Sequence, residues 1–141
     1  MPLVSHAWFL TGPTAVGKTA VGLPLAEKID AEIVSMDSMA IYLGMDIGTA
    51  KPTAEQRHRV RHHLVDRVAP HEDFSLAQYL NAAQVISEEI RSRGRRVLFV
   101  GGTPLYLKGL LRGIFEAPPA DWQFRLLLLR QSEANAPGFL N

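Results

Sequence analysis

The chain has 141 residues, 47% of them apolar, enough to bury one core and to form a single domain over residues 1–141. Lysine and arginine exceed aspartate and glutamate by one, leaving a formal net charge of +1, so no global field draws the chain to nucleic acid and any RNA contact has to come from a local patch. Cysteine is absent, which excludes disulfide frameworks, thiolate metal sites and cysteine nucleophiles. The N-terminal MPLVSHAWFLTGP lacks a basic leader region, and no apolar run reaches the ~20 residues of a membrane span. A soluble, cytoplasmic protein with no membrane contact is therefore expected.

His6 to Thr11 is a short apolar run closed by Gly-Pro, as in a buried parallel strand that runs into a loop. A helix follows from Gly17 to Ile29, with Val21, Leu25 and Ile29 as its expected buried face and a kink expected at Pro24. Ala31 to Met36 predicts a second strand with Asp37 at its carboxyl end, where ligands sit in open α/β sheets. Ser38 to Phe74 has weak periodicity and several turn residues, Gly44, Gly48, Pro52 and Pro70, and reads as a long irregular segment. Ser75 and Gln78 form a capping box for a helix that ends before Gly94, with Leu76, Leu80, Ala83, Ile86 and Ile90 inward. Arg96 to Gly101 predicts a third strand, apolar as a central one should be, and Pro104 stands at the first turn of the next helix. After Pro118 and Pro119, a last helix is expected from Asp121 to Gln131. Strand and helix alternate, so the fold class is α/β: a P-loop-containing parallel β-sheet flanked by helices in three layers, incomplete at its C-terminus.

Gly12, Pro13, Thr14, Ala15, Val16, Gly17, Lys18 and Thr19 spell GPTAVGKT, a phosphate-binding loop. Gly12 and Gly17 allow the backbone to turn its amides inward, Lys18 brings a point charge, and the Thr19 hydroxyl suits Mg²⁺. The motif does not say whether the phosphate belongs to a nucleotide. A nucleoside triphosphatase normally has an apolar strand that ends in an acid, whereas RVLFV ends in Gly101-Gly102-Thr103. If the three strands are parallel neighbours, Asp37 and Thr103 flank the loop, one as a potential base and the other as a hydroxyl donor. Asp37 as a turn residue and Thr103 as a helix cap are the structural alternatives.

Four segments together resemble the tRNA dimethylallyltransferases: GPTAVGKT, VSMDSMAIYLGMDIGTAKP from Val34 to Pro52, HHLVD from His62 to Asp66, and VGGTPLYLKGLL from Val100 to Leu111. The resemblance runs from Phe9 to Arg125. It implies transfer of a dimethylallyl group from dimethylallyl diphosphate to N6 of the adenosine 3′ to a tRNA anticodon, the base leaving the anticodon loop to react. On that basis Asp37 is the general base, and Thr103 touches the diphosphate bridging oxygen. Asp37, Ser38, Met39, Ala40, Thr103 and Arg125 would meet the tRNA anticodon stem-loop. Mg²⁺ is the implied cofactor, and a monomer is expected. The sequence departs from the pattern at Ala40, where glutamine is common, and at Pro24; members also continue well past Asn141, so the chain resembles an amino-terminal fragment. Two other readings are a P-loop kinase and a diphosphate-binding chain without turnover.

His62 and His63 are read as packing or solvent-facing residues, since adjacent side chains rarely reach one metal ion. Arg57, Arg59, Arg61 and Arg67 read as a solvated face or an RNA patch, and Arg91, Arg93, Arg95 and Arg96 as cations suited to a helix C-terminus.

Overall fold

A computed structural model describes residues 4–46, 51–114 and 121–134; the expected turn residues Gly48, Pro118 and Pro119 lie outside them. Four strands, β1 (Ala7–Leu10), β2 (Ala31–Ser35), β3 (His62–His63) and β4 (Arg96–Val100), form one all-parallel sheet in the order β1-β4-β2-β3. The helices are α1 (Lys18–Lys28), α2 (Ala54–Arg59), α3 (Leu76–Ser92), α4 (Pro104–Arg112) and α5 (Trp122–Ala134).

Successive strand side chains point to opposite faces, and the two cores follow from that alternation. On one face Val97 and Phe99 of β4 and Val34 of β2 pack with Leu80, Ala83 and Ile86 of α3 and with Tyr106 and Leu110 of α4. On the other, Leu98 of β4 and Ala31 and Ile33 of β2 pack with Leu23 and Ala26 of α1. The sheet is thus the middle of three layers, as expected.

Two details correct the sequence reading. The fully buried residues of α1 are Gly22, Leu23 and Ala26; of the expected face, Leu25 and Ile29 pack half-buried against the same core, while Val21 is exposed. A Cβ on Gly22 would only just touch Leu10 and Val100, so the helix faces the sheet with small residues, which a count of large apolar positions overlooks. Pro24 lies inside α1, which runs on to Lys28 as expected. The segment read as irregular holds both α2, closed by a Thr53–Gln56 capping box, and the edge strand β3. Two residues are too few to show a periodicity. The Ser75–Gln78 capping box forms as expected.

Of the arginine run, Arg59, Arg61 and Arg67 are exposed, as on a solvated face, and Arg57 is half-buried. Arg59 clamps Glu27 through two bonds of 2.9 and 2.8 Å, and Arg57 reaches Asp66 at 2.6 Å. The second run is satisfied within the chain too: Arg91 donates to Ser5, Arg93 to Glu32, Arg95 pairs with Asp30 and Arg96 donates to the Ile29 carbonyl.

Adjacent histidines in a strand face opposite ways, and these two do different things. His63 Nε2 lies 2.7 Å from the buried Glu32 carboxylate, which also accepts two bonds from Arg93 at 3.1 and 2.8 Å. Burial by itself would raise the Glu32 pKa, but the bonds from Arg93 and His63 outweigh it and hold the carboxyl below its ordinary 4.5. A depressed pKa contributes stability that is present above the unfolded value and lost as pH falls through the folded one. Urea denaturation should therefore show stability falling as pH drops below 4.5, with a shallower fall in Glu32→Gln. An unchanged pH slope in that variant would remove Glu32 from the account.

Candidate functional site

Leu10 of β1 and Ser35 of β2 both lie in register with Val100 of β4, so three strands end together at one edge. The loops that leave them are the GPTAVGKT loop, the segment from Met36, and Gly101-Gly102-Thr103. Cross-strand bonds continue past the strands: the Gly101 amide donates to Leu10, the Met36 amide to Val100 and the Thr103 amide to Met36.

In the GPTAVGKT loop the left-handed backbone falls on Ala15 (φ 63) and Gly17 (φ 92). Gly12 is not in that region, which corrects the expectation that it turns the loop as Gly17 does; its carbonyl sits 3.0 Å from where a Cβ on Gly102 would lie, a close approach that the bare Cα of Gly102 allows. Thr14 and Ala15 form a turn, and α1 begins at Lys18 with its positive dipole end toward the loop. Lys18 folds over the loop, its Nζ donating to the Gly12 and Pro13 carbonyls at 2.9 and 2.6 Å. Loop amides, helix terminus and ammonium thus converge as an anion cradle.

Asp37 follows β2. Its Oδ1 accepts from the Met39 amide at 2.8 Å, closing a turn, so the structural alternative for Asp37 is realised by one oxygen. The other oxygen makes no bond to the described residues. Thr103 stands at the cap position of α4, yet its side chain makes no capping bond. Its Oγ1 accepts instead from the Ser38 amide at 3.1 Å, which joins the loop after β4 to the loop after β2. Removing that acceptor leaves a part-buried amide unpaired. Thr103→Val should lower unfolding free energy by about 1 kcal/mol without loss of helix in the circular dichroism spectrum, because the hydroxyl does not cap α4. A drop in helicity would reinstate the capping role.

A crevice opens where these loops meet on the α1 face of the sheet. Lys18, Thr19 and Asp37 line its polar end, and Leu23, Ile33, Ala40, Val65 and Val100 form an apolar wall. His62, Gln56 and Pro52 also line it, three residues to which the sequence reading gave no site role. His62 is located by strand alternation opposite His63, a signal hidden while β3 went unrecognised. Burial and the nearby Arg57 and His63 charges keep its pKa low despite the bond to the Val60 carbonyl, so the ring is neutral at pH 7.

Beside the crevice on the other face, Tyr106 stacks on Tyr79 with ring centroids 3.7 Å apart, and the Tyr79 hydroxyl donates to the Ser35 carbonyl. Burial, Tyr42 and the Asp37 charge together raise the Tyr106 pKa, so its phenol stays protonated.

The remaining expected site residues are spread out. Ser38 is tied to Thr103, Met39 is exposed, and Ala40 is buried in the crevice wall. Arg125 lies on α5 with its guanidinium 5.0 Å over the Trp122 ring and does not line the crevice. Among the described residues no group of three or more histidines and carboxylates forms a metal cage, and no helix is long and apolar enough to cross a membrane.

A parallel α/β sheet with a glycine-turned anion cradle between its first strand and helix, and ligand loops at one carboxyl edge, defines the P-loop class of folds. The comparisons narrow the class. A family model described as IPP transferase matches residues 40–140, and the chain belongs to that family. It is 50% identical over 132 residues to a tRNA dimethylallyltransferase of Rhodopirellula baltica, covering 88% of this chain and 40% of that protein. A tRNA dimethylallyltransferase of Thermodesulfovibrio yellowstonii is 50% identical over 131 residues, covering 93% and 41%. Among solved structures, the full-length tRNA isopentenylpyrophosphate transferase of Bacillus halodurans aligns with a TM-score of 0.76 at 40% identity, over 94% of this chain and 44% of that one. A eukaryotic dimethylallyltransferase acting on tRNA aligns with a TM-score of 0.74 at 28% identity, over 86% and 31%. The chain thus spans well under half the length of these relatives.

Proposed function

We propose that this chain carries the diphosphate-holding and base-bearing part of an enzyme that transfers a dimethylallyl group from dimethylallyl diphosphate to N6 of the adenosine 3′ to a tRNA anticodon. The observation that carries the reading is the meeting of Lys18, Asp37 and the Thr103 loop around one crevice whose far wall is apolar. A diphosphate on the cradle would direct a short isoprenoid chain toward that wall.

In the transfer, N6 bonds to C1 of the dimethylallyl group as the C1–O bond breaks, and diphosphate departs with the electron pair. Lys18, the amides of Thr14 to Thr19 and the α1 terminus stabilise the charge that develops on the leaving group. The free oxygen of Asp37 takes the N6 proton. Thr103 spends its acceptor lone pair on the Ser38 amide, leaving its O–H to donate to the bridging oxygen. The Thr19 hydroxyl is a hard oxygen donor at the same end of the crevice, which fits Mg²⁺ bound mainly through substrate phosphates and water. When bound, the ion would neutralise charge on the diphosphate. Ser38 and Met39 flank Asp37 where the adenosine would enter, Ala40 offers its methyl to whatever fills the crevice, and Arg125 presents a cation for the RNA backbone.

The test is a chimera in which this chain replaces the matching segment of the Thermodesulfovibrio yellowstonii relative. Incubated with tRNA, Mg²⁺ and labelled dimethylallyl diphosphate, it should place label on tRNA. A folded chimera that transfers none would refute the reading.

A further inference from the structure

The Lys51 side chain is only 5% exposed. Its ammonium has three donors and three acceptors: the Tyr42 carbonyl at 2.6 Å, Asp46 Oδ1 at 3.0 Å and Asp66 Oδ1 at 2.5 Å. The second Asp66 oxygen accepts from Arg57 Nη2 at 2.6 Å, and Arg57 Nε donates to the Pro52 carbonyl. Two cations thus face two carboxylates, and every Lys51 donor has a partner.

The bonds converge on the backbone of one loop. The Asp66 amide donates to the Ala40 carbonyl, the Arg67 and Val68 amides to Ile41, and the Leu43 amide to Val68, while Lys51 holds Tyr42. Residues 37–43 contain no regular helix or strand, and among the described residues the Asp37 carboxylate pairs with no cation. Its position is therefore set by this backbone, fixed at one end by the Thr103–Ser38 bond and at the other by Lys51 and Asp66. Asp66 itself has φ 52, a left-handed conformation uncommon for a residue with a side chain, and the two cations on its carboxylate hold it there.

We propose that Lys51 and Asp66, braced by Arg57, form a clasp that positions the loop bearing Asp37, acting on the reaction through the loop backbone without touching substrate. The clasp joins two segments of unlike sequence, one at Lys51 and Pro52 and the other at His62 to Asp66. It rests on the proposed role of Asp37, and its test separates the two.

Because the chain has no cysteine, Lys51→Cys introduces a single thiol. Alkylating the unfolded variant with 2-bromoethylamine before refolding restores an ammonium at nearly the reach of lysine. Hydrogen exchange should run at least about tenfold faster at the amides of Ser38, Met39, Tyr42 and Leu43 in Lys51→Cys, with the α3 and β4 amides unaffected, and aminoethylation should restore protection. Asp66→Asn, which keeps the backbone bond to Ala40, should give the same local pattern. Pyrophosphate affinity, read by calorimetry, should stay unchanged because the cradle is made elsewhere. In the chimera, Lys51→Cys should lower kcat and leave KM for dimethylallyl diphosphate unaltered, and aminoethylation should recover kcat. Unchanged exchange at residues 38–43 would overturn the clasp, as would an acceleration spread evenly over the chain that the restored ammonium does not reverse. Full transfer activity in Asp37→Asn would instead defeat the base assignment, leaving the exchange result to judge the clasp.

Discussion

Asp37→Asn should slow dimethylallyl transfer by the chimera by about 10²–10⁴-fold, the usual contribution of a positioned general base, while pyrophosphate binding stays unchanged. The substitution suits the question because asparagine keeps an oxygen for the Met39 amide, the one bond that Asp37 makes to the described residues. The turn should survive and only the proton acceptor disappear. Rapid-mix measurement of the chemical step and calorimetry with pyrophosphate check the two halves separately. Parallel loss of binding and rate would assign Asp37 to holding the metal or the loop; full retention of rate would exclude it as the base.

Gly101→Ala should be the most destabilising single methyl addition at the site. A Cβ at this position would lie 2.3 Å from the Met36 carbonyl oxygen and 2.4 Å from its carbon, backbone atoms that cannot rotate aside. The same two strands are tied by the Met36 amide to Val100 and the Thr103 amide to Met36, so relief of the clash means prising β2 from β4 where the loops converge. A loss of about 3 kcal/mol or more is expected, at or beyond the upper end of overpacking costs, which corresponds to roughly 10 °C in melting temperature for a domain of this size. Gly22→Ala is the matched control. Its Cβ meets only Leu10 and Val100 side-chain atoms at 3.4 to 3.5 Å, and alanine favours a helix over glycine. Melting of the two variants at the same temperature would contradict the geometry.

How far the sequence discloses this architecture depends on how local each signal is. The capping box at Ser75, the proline that opens α4 and the apolar run of β4 are written within a few residues, and each forms as read. So does the adjacency of the three loops, because alternating strands and helices leave few ways to place them. The pairing of Lys51 with Asp66, the turn of His62 into the crevice and the bond from Ser38 to Thr103 are products of tertiary placement. The resemblance marked AKP and HHLVD as belonging together, but it could not say that one supplies the cation and the other the carboxylate. Thr103 is instructive in a different way. Spacing alone favoured a helix cap as much as a site role, and the distinction came from where the hydroxyl lies, against the Ser38 amide.

The bond between Thr103 and Ser38 has a mechanical consequence. It makes the loops after β2 and β4 a single body, whereas the GPTAVGKT loop meets that body across the bare Cα of Gly102 and through the Leu10–Gly101 bond. On the proposed reading, the part that would hold the leaving group is thus fixed by different bonds from the part that would take the nucleophile's proton. Release of diphosphate would then call for a shift of the GPTAVGKT loop alone, and the half of the site that awaits the next adenosine would stay in place.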